Sequence, residues 1–164
     1  MIILGIDPGL ATLGYGIIES IGHHQKLIAY GCIITTPKST FPQRLLSIQH
    51  EMGALLEKYQ PDEIAFEELF FAKNVTTALT VGAARGVAIA VCAEFTDNLY
   101  EYTPMQVKQA IVGYGKAEKQ QIQHMVKSLL CMKEIAKPDD AADALAIALT
   151  HSATGVAKQE FAMK

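Results

Sequence analysis

Tryptophan is absent from this 164-residue chain, aromatic residues make up only 7%, and there are three cysteines. Cys32, Cys92 and Cys131 are too widely spaced for a zinc motif or a disulfide framework, so they read as small buried hydrophobes. Long apolar runs are missing too. No uninterrupted stretch approaches the ~18 residues of a membrane span, which argues against a membrane protein. The N-terminus opens on a strand pattern, not on a charged segment followed by an apolar one, so a cytoplasmic location is expected. No Gly-rich phosphate loop is present: "GYG" at 14–16 and "GYGK" at 113–116 lack the required spacing. The five histidines show no metal-ligand spacing, and no Ser-His-Asp or Cys-His grouping stands out.

Charge is scarce and slightly acidic, at 19% charged residues and a net −3. Its distribution is uneven. Residues 101–137 hold six lysines against three glutamates, which leaves −6 for the remainder. Such asymmetry suits a basic face beside an acidic site. Half of the residues are hydrophobic, enough for a sizeable core. We expect one domain over 1–155 and a loose tail over 156–164.

Apolar patterning predicts strands at Ile2–Asp7, Gly14–Glu19 and Leu27–Thr35, joined closely enough to form antiparallel hairpins. A helix follows from Pro42, then a short strand in "DEIAFE". A long helix over 75–95, with Asn74 as its N-cap, leads to a fifth strand in "NLYEYT". Thr103-Pro104 opens a short helix ending near Gly113, a further helix runs from about Ala117 to Cys131, and "KPDDAADALAIALTH" forms the last. The order β-β-β-α-β-α-β-α-α-α predicts an α/β fold: a central five-stranded mixed sheet, three strands antiparallel and two parallel, flanked by helices. If the strand at 63–67 lies parallel to the first, Asp7 and Glu67 finish side by side at one carboxyl edge.

Asp7 ends an apolar strand, as Glu67 does, while Asp140 and Asp143 share one face of the last helix. Each has an ordinary explanation alone. Aspartate starts turns, and acids at 139–143 suit a helix N-cap and first turn. Glu68 reads as a solvated neighbour of Glu67. Together the four carboxylates are hard oxygen donors, suited to Mg²⁺ or Mn²⁺ and not to zinc. Two such ions clamp the attacking and leaving oxygens of a phosphoryl displacement.

The blocks "GIDPGLATLGYGII", "IAFEELFFAKN", "ARGVA", "QVKQAIVGYGKAEKQQI" and "DDAADALAIALTH" together resemble the RuvC-type Holliday junction resolvases of the ribonuclease H-like superfamily, from residue 2 to about 151. The resemblance implies a site of Asp7, Glu67, Asp140 and Asp143 holding two Mg²⁺, with Mn²⁺ able to substitute. It implies that Phe70 stacks on an unpaired base of four-way junction DNA, and that Lys108 and Lys119 lie near the scissile phosphate. Lys73, Arg85 and Lys116 are assigned to the DNA backbone. A homodimer is implied, as is partnership with the RuvA–RuvB branch-migration complex, in bacterial recombination and repair. One departure stands out: Leu10 and Ala11 follow the "DPG", where family members often carry Ser or Thr. An ATP-binding relative of the same superfamily is the alternative, but it needs two such domains and a much longer chain.

Overall fold

The computed structural model describes residues 1–69 and 75–164. Its strands are β1 (Ile2–Asp7), β2 (Thr12–Ile21), β3 (His24–Ile34), β4 (Glu63–Glu67) and β5 (Leu99–Tyr102). Its helices are α1 (Phe41–Tyr59), α2 (Val75–Phe95), α3 (Pro104–Val112), α4 (Lys119–Leu129) and α5 (Asp139–Thr154), followed by a 3-10 turn at Gly155–Phe161. The strands form one sheet in the order β3-β2-β1-β4-β5. The β1–β2 and β2–β3 pairs are antiparallel, and the β1–β4 and β4–β5 pairs are parallel, as the sequence predicts.

Strand alternation sorts side chains into two cores. Leu4, Ile6, Leu13, Ile17, Ile64 and Phe66 pack with α1 and α2 on one face. Ile3, Ile18, Ala65, Tyr100 and Tyr102 pack with α3, α4 and α5 on the other. Asp7 is in phase with Ile3, and Glu67 with Ala65. Both carboxylates therefore point to the α5 face from the ends of adjacent strands.

α5 is apolar on all sides because it lies between the sheet and α3 and α4. Ala141, Ala142, Ala144, Leu145, Ala146, Ile147 and Ala148 are all buried. It approaches the sheet unusually closely, over three glycines. A Cβ on Gly16 would sit 2.7 Å from the backbone nitrogen of Leu145, and one on Gly5 would sit 2.7 Å from that of Ala148. One on Gly14 would strike the carbonyl of Asp140. Gly5 pairs with Gly16 across the ladder, and Gly14 pairs with Asp7. These glycines form a floor that only a bare backbone provides. The Asp140 end of the helix rests where β1 ends.

Three expectations change. Pro138, not an aspartate, occupies the N-cap of α5, so Asp139 and Asp140 both lie in its first turn. Residues 156–164 are docked, not loose. Met163 donates its N–H to the Leu99 carbonyl at 2.9 Å, Ala162 bridges to Tyr100, and Phe161 stacks on Tyr102 with centroids 4.9 Å apart. Lys158 pairs with the buried Glu63 carboxylate. Cys131 is exposed at the end of α4, while Cys92 is buried and Cys32 half-buried. The Asn74 N-cap lies outside the described residues.

Glu63 also accepts from His151 Nε2 at 2.7 Å, and Tyr102 O–H reaches His151 Nδ1 at 2.7 Å. Burial alone would raise the Glu63 pKa, but the Lys158 and His151 hydrogen bonds outweigh it and hold the carboxyl below its usual range. Burial lowers the His151 pKa against the pull of Glu63. A neutral imidazole with its proton on Nε2 satisfies both contacts, taking the tyrosine proton on Nδ1.

The α2 segment Thr77–Phe95 has a mean hydropathy of 1.5 and is long enough to cross a bilayer, with 17% of that window buried. It is nonetheless tied to the sheet. Ala84, Ala88 and Cys92 are buried in the core, and Arg85 bonds Glu101 of β5 at 2.5 Å. Its outer side exposes Leu79, Gly86, Ala90 and Phe95.

The glycine floor yields a direct test. Gly14→Ala is expected to destabilise the fold by ~1–3 kcal/mol through overpacking and to displace the Asp140 end of α5. Gly53→Ala, at a helical position with open space around it, is expected to be neutral or stabilising by up to ~1 kcal/mol. Denaturant titration of both variants checks the contrast; equal effects would contradict the close approach.

Candidate active site

Asp7 and Glu67 sit side by side because the parallel β1–β4 ladder pairs Ile6 with Phe66, one residue before each carboxylate. Over them, α5 contributes Asp140 and Asp143. Burial raises the Asp7 pKa to about 8, and the neighbouring charges of Glu67, Asp143 and Asp140 push in the same direction against Lys119. Glu67 is raised to about 6 by burial and by Asp143, with Lys119 and Lys108 opposing. Burial raises Asp143 as well, despite its hydrogen bond from Lys119. The four acids predicted from sequence are therefore brought together, and they repel one another.

Lys119 Nζ donates to Asp143 Oδ2 at 2.8 Å and lies 3.4 Å from Asp139 Oδ2. Burial would lower its pKa, but the hydrogen bond and charge of Asp143, with Asp139, raise it. The N-terminus of α4 thus places one ammonium inside the acidic cluster. Lys108 projects from α3 into the same cleft. Glu67, Pro104, Val107, Lys108, Lys119, Ile122, Asp143 and Ala146 line a space of about 220 Å³. Four of these residues are apolar, and the other four supply two carboxylates and two ammonium groups. Thr103 aims α3 at this cleft as its N-cap, accepting from Gln106 N at 3.2 Å.

Other predicted residues fall elsewhere. Arg85 is engaged by Glu101 and also donates to the Glu67 carbonyl at 3.4 Å, so it braces β4 and β5 from within the fold. Arg85, assigned from the sequence to the DNA backbone, thus has its charge matched by a carboxylate at 2.5 Å. Lys116 is exposed in the loop between α3 and α4, outside the cleft lining, and Glu68 is exposed, as expected. Phe70 and Lys73 lie outside the described residues. Sequence reasoning missed Asp139, which supports Lys119 and accepts from Gln123 Nε2 at 3.0 Å; its only signal was adjacency to Asp140. It also missed Thr35. The Thr35 hydroxyl donates to the Leu10 carbonyl at 2.5 Å, and its N–H donates to the Ala11 carbonyl at 3.0 Å. The turn after Asp7 is thus held by a hydroxyl from the end of β3, which answers the absence of Ser or Thr at positions 10 and 11.

The donor set fits a hard divalent cation. It is made of carboxylates without thiolate or imidazole, and an Asp7 pKa of about 8 reflects burial first and then neighbouring negative charge that Lys119 does not offset. Among the described residues, no three acidic, histidine or cysteine side chains are already gathered at coordinating distance. The cluster is an open one. A larger open groove, about 650 Å³, lies between β3 and the end of α4, and none of the four carboxylates lines it.

A five-stranded mixed sheet of this order, with two carboxylates ending adjacent parallel strands and two more laid over them by a helix, defines the ribonuclease H-like nuclease class. The family profile described as Crossover junction endodeoxyribonuclease RuvC matches residues 3–151, and the chain belongs to that family. It is 53% identical over 164 residues, all of both chains, to the crossover junction endodeoxyribonuclease RuvC of Alkaliphilus metalliredigens. Its fold is similar to the Thermus thermophilus RuvC structure, with a TM-score of 0.88 and 36% identity, covering 99% of this chain and 98% of that one. The T. thermophilus RuvC structure in complex with a Holliday junction substrate aligns at a TM-score of 0.86 and 34% identity, over 94% of each chain.

The carboxylate repulsion predicts a pH dependence in the metal-free protein. Asp7 holds a proton up to about pH 8 when folded, against about 4 when unfolded. That proton favours folding, so the contribution is complete below about pH 4 and is lost as pH rises to about 8. Glu67, raised to about 6, acts in the same direction. In EDTA the melting temperature is expected to fall by ~5 °C or more between pH 5 and 8.5. Asp7→Asn should flatten that slope and melt higher than the parent at pH 8.5. Parallel profiles for the two proteins would contradict the coupling.

Proposed function

We propose that this RuvC-family chain resolves four-way DNA junctions by metal-assisted hydrolysis, with Asp7, Glu67, Asp140 and Asp143 as the metal-holding carboxylates. The observation that carries the reading is the meeting of Asp7 and Glu67 on one sheet face beneath the acidic end of α5. Two Mg²⁺, or Mn²⁺ in their place, supply an activated water and charge stabilisation at the leaving 3′ oxygen. The chain's own residues do the rest. The four carboxylates set the position of that charge, and the glycine floor fixes it. Lys108, in the lining of the same cleft, stabilises negative charge growing on the scissile phosphate. Lys119 holds Asp143 in place and keeps a second ammonium within reach of the same phosphate. The products carry 5′-phosphate and 3′-hydroxyl ends. Phe70, Lys73 and Lys116 belong to the reading as contacts to an unpaired base and to the backbone.

Paired nicks in two strands of like polarity need two sites related by a two-fold axis. The exposed small and apolar side of α2 supports a homodimer, since a helix apolar on all sides is normally covered on all sides. Partnership with the RuvA–RuvB complex is part of the same reading, carried by the family resemblance.

A synthetic four-way junction and a duplex of matched sequence, each incubated with Mg²⁺ or EDTA, test this by mapping the cuts. Symmetric cuts confined to the junction and to Mg²⁺ are expected. Asp7→Asn should lower cleavage by ~10³-fold or more while junction binding stays within ~3-fold of the parent. Undiminished cleavage by that variant would overturn the site.

A further inference from the structure

At the sheet edge where β1 delivers Asp7, but on the face that carries α1 and not on the α5 face of the carboxylates, the structure holds a cation that the proposed chemistry does not use. β3 and β1 are both antiparallel to β2, so they run in the same direction, and β3 ends at the sheet edge that carries Asp7. The next residue, Thr35, is buried, and its hydroxyl anchors the turn leaving Asp7 through the Leu10 carbonyl. That same oxygen accepts a hydrogen bond from Arg44 Nε at 2.8 Å. Arg44 lies in the first turns of α1 and is half-buried. Among the described residues, no carboxylate stands within ion-pairing distance of it. Arginine is seldom drawn into a fold without an anionic partner. Here the partner is a neutral hydroxyl, which orients Nε and leaves the Nη groups to donate elsewhere.

The surroundings reinforce the positive field. The first turn of α1 carries no acid, so the helix N-terminus adds its own positive end beside the arginine. Lys38 is exposed in the preceding loop, over 36–40. In the order β3-β2-β1, Thr35 follows the strand two places from β1, on the flank of the edge that carries Asp7. Lys108 and Lys119 serve the β4–β5 side of Asp7, and Arg44 and Lys38 lie towards the β3 side.

We propose that Arg44 is a phosphate clamp on the junction DNA flanking the cut, oriented by Thr35, so that DNA contact on one flank is mechanically joined to the turn that carries Asp7. This rests on the junction-cleaving reading above. Arg44 touches the DNA backbone and adds no sequence preference of its own. Thr35 is a positioning residue: it acts through Arg44 and the Leu10 carbonyl.

The test is junction binding in EDTA, followed by fluorescence anisotropy across a series of salt concentrations. Arg44→Gln is expected to bind ~5–20-fold more weakly near 0.1 M salt, with a log K against log salt slope shallower by ~0.9. Arg44→Lys should restore the slope and part of the affinity. Thr35→Val keeps every charge, so it should weaken binding ~2–5-fold with the parent slope. Parent affinity in Arg44→Gln, or weaker binding with an unchanged slope, would overturn the clamp, because the second pattern marks a purely structural role. A methylphosphonate scan of the junction needs no variant. With the unaltered protein, neutralising one of the phosphates that flank the cut should weaken binding by a similar factor, and insensitivity at all of them would also overturn the proposal. If the parent itself fails to prefer the junction over the duplex, the functional reading falls; the Arg44 slope comparison, made on one DNA, stands apart from that result.

Discussion

The contact on which the site depends is backbone against backbone: α5 resting on Gly5, Gly14 and Gly16. A helix normally packs on a sheet at about 10 Å, held off by side chains on both surfaces. Here the sheet has none at the crossing, and the helix presents Ala141, Ala144 and Ala148. Short aspartate side chains cannot bridge an ordinary interlayer gap to meet an aspartate on the sheet. Removing the intervening Cβ atoms is what lets Asp140 and Asp143 reach the carboxylates at the ends of β1 and β4. The cost is electrostatic, and it is borne by Asp7, whose carboxyl is buried and surrounded by like charge. In the proposed metal-holding role, such a cluster is destabilised by its own carboxylates until cations bind.

That cost is offset at a distance from the site. At the opposite end of β4, Glu63 is buried between His151 and Lys158, with Tyr102 completing the chain of hydrogen bonds. His151 belongs to the same helix that carries Asp140 and Asp143. One end of α5 is held by a satisfied polar network and the other projects acids into the cleft. This explains why the terminal segment is docked: it supplies Lys158 to Glu63 and Phe161 to the Tyr102 ring. A sequence reading could not see this, because a short run after a long helix carries no periodic signal and its partners lie some 95 residues away.

What was legible followed from period and parity. Alternation in "IILGID" and "EIAFE" fixes which face each terminal carboxylate takes, and a crossover helix makes their strands parallel, so the pairing of Asp7 with Glu67 was open to deduction. The three glycines were visible as residues but not as a floor, since nothing local says which helix will lie on them. Ion pairs across elements were not legible at all. Arg85 looked like a free cation on a helix of small residues; its carboxylate partner, Glu101, is 16 positions away on β5. Asp139 looked like a cap, yet it supports Lys119 while a proline caps the helix. Side-chain charge reports a role only once its partner is known.

The same rule separates the basic residues by function. Arg85 is matched by a carboxylate of β5, so its charge is balanced within the fold. Lys119 is matched by Asp143, within a cluster that still has excess negative charge, so it tempers the site and remains part of it. Lys108 and Arg44 have no acid in ion-pairing contact among the described residues, and both lie along the carboxyl edge of the sheet, on opposite sides of Asp7. A protein with a net charge of −3 cannot hold DNA by its overall field; it must present cations locally, along the path of the backbone. In the proposed reading, the unmatched cations at that edge mark such a path, running across the end of the sheet from β3 to β5 past the four carboxylates.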